Sequence, residues 1–193
     1  MEADSNTVVN VQSQMANAVG HLQVKEIGGR MKRRLFMDSD IFPTETLLRR
    51  KSSTAMGYYQ GIMSTSMNYY KRWQFNHGNG WILRVDDTYH TLYYLAAFED
   101  GIEISLTVRS DERANFMKNE EIRDIHDQLE LGTKYQEGYA LRFPIESPGE
   151  CKSVERFLKE LMEERSRARQ SGRTLIPTTR QGKTRRSKAI SAE

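Results

Sequence analysis

The stretch RWQFNHGNGWILRVDDTYHTLYYLAAFEDGIEISLTV, residues 72–108, decides the fold. Its last part, Ile102-Glu103-Ile104-Ser105-Leu106-Thr107-Val108, alternates apolar and polar side chains. Because successive strand side chains point to opposite sides, such alternation means one buried face and one solvated face, as in an antiparallel meander. Upstream the same logic gives short strands at Arg72–Phe75, Trp81–Val85 and Tyr89–Phe98. They are separated by the turn-formers Asn76-His77-Gly78-Asn79-Gly80, Asp86-Asp87 and Glu99-Asp100-Gly101.

On either side the period changes from two to between three and four. Before the strands, Thr44 is placed as an N-cap with Leu47 and Leu48 as the first buried positions. Met56, Tyr59, Met63, Met67 and Tyr70 predict a second helix over about Thr54–Tyr70. After the strands, Ser110 is expected to cap a turn through Phe116. Asn119 caps a helix with the stripe Ile122, Ile125 and Leu129, closed by Gly132. A fifth strand is expected over Tyr135–Ile145. A last helix follows Pro148 with the stripe Val154, Phe157, Leu158 and Leu161. The expected fold is α+β: an antiparallel meander of about five strands with helices packed on one face.

Charge divides the chain further. Residues 1–40 carry 5 basic and 5 acidic side chains, residues 41–165 carry 16 and 20, and residues 166–193 carry 8 and 1. The basic isoelectric point of about 8.9 is therefore a property of the C-terminal segment. That segment has one small apolar pair, Leu175 and Ile176, too little to offset the cost of ordering its backbone. We expect a compact domain at 31–165, a disordered basic tail at 166–193, and a loose arm at 1–30. The arm carries a short helical stripe of Val8, Val11, Met15, Ala18 and Leu22. The longest apolar run, Leu92–Phe98, is far short of the roughly 20 residues a membrane helix needs. With no apolar block near Met1 and only Cys151 as thiol, the expected setting is the reducing cytoplasm, with no membrane partner.

The sequence carries little recognisable catalytic chemistry. Gly182-Lys183-Thr184 ends like a phosphate-binding loop, but position 177, where the first glycine belongs, is proline, and no strand precedes it. None of His21, His77, His90 and His126 stands at metal-ligand spacing. Cys151, near a helix start, is a conceivable nucleophile without an identifiable base. No catalytic set, metal or cofactor is expected. Aromatic density is more informative, since Tyr and Trp combine an apolar body with a polar handle and suit both cores and binding surfaces. Trp73, Trp81, Tyr93, Tyr94 and Tyr139, with Arg84 and Arg142 among them on the strands, are the candidate ligand contacts. Inward-turned guanidinium groups would favour a carboxylate or phosphate.

Several short motifs fall in an order that resembles a bacterial family. They are Leu35-Phe36-Met37-Asp38 through Phe42-Pro43-Thr44, Trp73-Gln74-Phe75, Gly80-Trp81-Ile82-Leu83-Arg84, Leu92-Tyr93-Tyr94-Leu95 and Tyr135-Gln136-Glu137-Gly138-Tyr139. The family is domain-of-unknown-function family 3788, and the resemblance covers about residues 31–165. It implies a small cytoplasmic α+β domain and lends no activity or catalytic residues.

Three functions fit these residues. The first is a non-enzymatic module that binds a small ligand or a partner protein through an aromatic-lined pocket or groove. The alternative is sequence-independent nucleic-acid association through Arg167, Arg169, Arg173, Arg180, Lys183, Arg185, Arg186 and Lys188, whose cations would neutralise phosphates without reading bases. An enzyme using Cys151 or a carboxylate is the third.

Overall fold

The structure, a computed structural model, describes residues 33–88 and 90–170. The expected N-terminal arm lies outside the described residues. Two helices open the domain, α1 (Glu45–Lys51) and α2 (Ser53–Thr65). Thr44 Oγ1 accepts from the amide of Leu47 at 3.1 Å, as an N-cap should. Ser52 ends α1 and starts α2: its hydroxyl accepts from Ala55 N at 3.0 Å and donates to Glu99 O at 2.8 Å, tying the helix junction to a sheet turn.

The helix expected to continue to Tyr70 stops at Thr65. Lys71 Nζ donates to the carbonyls of Ser66, Met67 and Tyr69 at 2.6, 3.2 and 3.1 Å, fastening the turn that follows the helix. Tyr70 instead starts β1 (Tyr70–Asn76). The meander continues through β2 (Gly80–Asp86), β3 (Thr91–Ala97) and β4 (Ile102–Val108), the last with the bounds its alternation predicts. Next come α3 (Ser110–Phe116), a 3-10 turn (Glu120–Ile125) and α4 (His126–Glu130). Ser110 is not the cap of α3: the Glu112 carboxylate takes the Arg109 amide at 2.9 Å, and Ser110 is the first helical residue. Asn119 does cap its turn, accepting from Glu121 N at 3.0 Å.

The expected fifth strand is two. β5 (Thr133–Tyr135) and β6 (Gly138–Ile145) form a hairpin, with Tyr135 paired to Gly138, and the sheet has six strands. Gly138 takes φ +142, and an added Cβ would lie 2.2 Å from Val108 O, so only glycine fits there. Strand order is β1-β2-β3-β4-β6-β5, antiparallel throughout. The last helix, α5 (Pro148–Gln170), runs five residues past the expected domain boundary at 165, so residues 166–170 are helix rather than tail.

Helices cover one face of this sheet. Leu83, Leu95, Ile104 and Phe143 pair across it and join Phe157, Leu158 and Leu161 of α5 in one core with Ile62 of α2 and Ile122 and Leu129 behind β6. Residues 34–36 fill the fork where β2 and β3 diverge. Leu35 N donates to Ala97 O at 3.0 Å, and Trp81 N donates to Phe36 O at 2.8 Å. Gly80 makes room for that crossing: its φ is +69, and a Cβ would meet Phe36 O at 2.2 Å.

Candidate functional site

Strand register decides where each candidate residue points. Trp73 pairs with Leu83, Phe75 with Trp81, Val85 with Tyr93 and Val108 with Tyr139. All of these share the core face. Arg84 pairs with Tyr94, Tyr94 with Ser105, and Ser105 with Arg142, and these share the opposite face. The seven expected ligand residues therefore do not form one pocket. The sheet separates Trp73, Trp81, Tyr93 and Tyr139 from Arg84, Tyr94 and Arg142.

The core-face group is engaged in packing. Tyr93 is fully buried, and its hydroxyl is 2.6 Å from that of Ser66; burial pushes its pKa up despite that bond. Trp73 meets Phe36 edge-on at 6.1 Å. Trp81 packs edge-on against Phe42 and Phe75 at 5.1 and 5.5 Å, and its Nε1–H donates to Asp38 O at 2.9 Å. Tyr139 lies under the Arg113 guanidinium, 4.5 Å from ring centre, while Arg113 Nε donates to Leu129 O at 2.7 Å. An open depression of about 650 Å³ beside residues 33–41 is lined by Arg34, Met37, Ile41, Lys51 and Phe98, and none of the expected ligand residues lines it.

The opposite face has a different character. One cross-strand row reads Arg72, Arg84, Tyr94, Ser105, Arg142 over five strands. Asp86 anchors one end of the row: its carboxylate lies 2.6 Å from Arg84 Nε and 3.7 Å from Arg72 Nε, and takes the Thr91 hydroxyl at 2.8 Å. In the fork between β2 and β3, Arg34 lies over the Phe98 ring, 5.4 Å from its centre. The pKa of Arg34 is lowered, chiefly by burial, with the nearby Arg142 charge adding to this and Glu103 opposing it. On this face the strands and residue 34 supply four arginines, at 34, 72, 84 and 142, against Asp86 and Glu103. Tyr70 and Tyr135 stand at its rims, 66% and 39% exposed, with Tyr94 half-buried between them. Arg34, Arg72 and Glu103 are not among the candidate residues, and Tyr70, Tyr135 and Asp86 are expected in a helix stripe, a strand and a turn instead. Strand parity from Arg84 reaches Asp86, and pairing across the Asn76–Gly80 turn reaches Arg72, whereas Tyr70 stands in the expected helix.

Cys151 is buried, with Sγ 3.4 Å from the Glu155 carboxylate and 4.0 Å from Tyr58 O. Burial, and then the Glu155 hydrogen bond and charge, push its pKa up to about 12. That environment suppresses the thiolate a nucleophile needs, opposite to the effect considered for a helix start. His126 Nε2 is 3.0 and 3.2 Å from the carbonyls of Phe116 and Asn119, linking the turns before it. Of the basic candidates near the C-terminus, Arg167 and Arg169 belong to α5. Arg167 reaches Glu164 at 3.6 Å and Arg169 pairs with Asp87 at 3.1 Å. Arg173, Arg180, Lys183, Arg185, Arg186 and Lys188 lie outside the described residues.

Fold and face together define the class: an α+β domain whose six-stranded antiparallel sheet carries helices on one side and a row of arginines and tyrosine on the other. Compared with protein-family models, with curated proteins and with solved structures, the chain matches none. Among the described residues, no helix is long and apolar enough to cross a membrane.

Proposed function

We propose that this protein is a non-enzymatic binding module that holds an anionic ligand or partner on the helix-free face of its sheet. The observation that carries the reading is the row Arg72-Arg84-Tyr94-Ser105-Arg142. A planar guanidinium donates along two parallel bonds to carboxylate or phosphate, and a hydroxyl beside it completes such a site. The helix-covered face offers no comparable group, because its aromatic side chains are occupied with one another. The reading places the protein in the reducing cytoplasm, where one buried thiol needs no partner. The resemblance to the bacterial family contributes a fold expectation and no activity.

Calorimetric titration of the full chain with inorganic tripolyphosphate tests this. Binding is expected, and the pair Arg84→Gln with Arg142→Gln should weaken it by about tenfold, the loss of roughly one charged hydrogen bond. Tyr139→Phe, a change on the other face, should leave it unaltered. Equal affinity in the arginine variant, or loss in Tyr139→Phe, contradicts the assignment.

A further inference from the structure

The dimensions of the arginine row specify its occupant. The row crosses five strands, and at the usual strand spacing Arg72 and Arg142 start about 19 Å apart. A single phosphate or carboxylate bridges one or two guanidinium groups, so a small anion leaves most of the row unused. An extended polyanion uses all of it. The aromatic side chains narrow the choice. Tyr94 sits between Arg84 and Arg142 in the row, and Tyr70 and Tyr135 rise at the rims. An acidic peptide has no use for flat rings spaced between cations. A duplex keeps its bases stacked inside and presents only backbone to such a surface. A single strand has phosphates alternating with bases whose faces are free to stack.

Resting on the binding reading given above, we infer that the helix-free sheet face binds single-stranded nucleic acid. Tyr94 is its central stacking platform, and Arg72, Arg84 and Arg142 are its phosphate contacts.

Fluorescence anisotropy of a labelled oligothymidylate with the full chain tests the inference. The same oligonucleotide as duplex and poly-glutamate serve as comparison polymers, and unchanged thermal melting certifies each variant. The single strand should bind more tightly than either comparison. Tyr94→Leu should weaken it by about tenfold, as loss of one base–aromatic stack does, while Tyr94→Phe retains it. Arg84→Gln with Arg142→Gln should reduce the slope of log affinity against log salt by about 1.4, the share of two phosphates on a single strand. Glutamine at Arg180, Lys183, Arg185, Arg186 and Lys188 should preserve the dependence on Tyr94. Duplex or poly-glutamate binding as tightly as the single strand, with Tyr94→Leu neutral, overturns the inference and leaves the anion-binding face standing. Binding that survives all sheet variants and vanishes with the C-terminal charges also overturns it. If tripolyphosphate, poly-glutamate and the oligonucleotide all fail to bind, both readings fall.

Discussion

Replacing Glu112 with alanine should lower the melting temperature by roughly 10 °C, the consequence of losing about 3–5 kcal/mol in a domain of this size. Glu112 is completely buried at the start of α3 and is bonded on both oxygens. Oε1 takes Arg165 Nε at 3.0 Å; Oε2 takes Arg165 Nη2 at 3.3 Å and the Arg109 amide at 2.9 Å. Arg165 is itself 8% exposed, and Nη2 also donates to Thr107 O at 2.8 Å. Cutting away the carboxylate strands a guanidinium inside the protein and leaves a backbone amide without its acceptor. Most of the loss comes from that uncompensated charge rather than from the attraction removed. Glu112→Leu combined with Arg165→Met should therefore melt well above Glu112→Ala, although it removes more polar contacts. A double variant no more stable than the single one contradicts this explanation.

Phe157→Ala should cost about 3–5 kcal/mol, read as a fall in the urea midpoint. The Phe157 ring is fully buried on α5, with ring centres 5.3 Å from Phe116 on α3 and 5.3 Å from Phe143 on β6. Its removal opens a cavity where helix, helix and sheet meet, and three separate elements cannot all close on it. Phe42→Ala provides the contrast: Phe42 is 56% exposed, so losing it should cost no more than about 0.5 kcal/mol. Comparable losses at the two positions would mean that α5 does not pack as described.

The two substitutions also mark what could be read from the chain and what could not. Phe157 was legible because α5 is amphipathic, and Val154, Phe157, Leu158 and Leu161 recur at helical spacing and are all buried. Ile102–Val108 was legible for the corresponding reason in a strand. Glu112 and Arg165 were not, since 53 residues separate them and each stands in a charge-rich stretch that looks solvated.

The division of the aromatic residues was hidden by a different effect. Leu92–Phe98 carries apolar or aromatic side chains at every position, so it shows no alternation from which to assign Tyr93 and Tyr94. Only pairing with β2 and β4 sends Tyr93 into the core and Tyr94 to the opposite side. Aromatic residues dense along the sequence thus divide between two faces of the sheet and do not form one pocket. The hairpin of β5 and β6 was merged for a related reason: Gln136-Glu137 contains no turn glycine, and the special backbone falls one position later, at Gly138.

Which face of the sheet meets a ligand decides the function proposed for the domain. Amide chemical-shift mapping of the full chain during a tripolyphosphate titration locates this without any substitution. Perturbations centred on Arg72, Arg84, Tyr94, Ser105 and Arg142, with the buried stripe of α5 unmoved, are the predicted result. Perturbations centred on α2, α3 or α5, leaving that row unchanged, would contradict it.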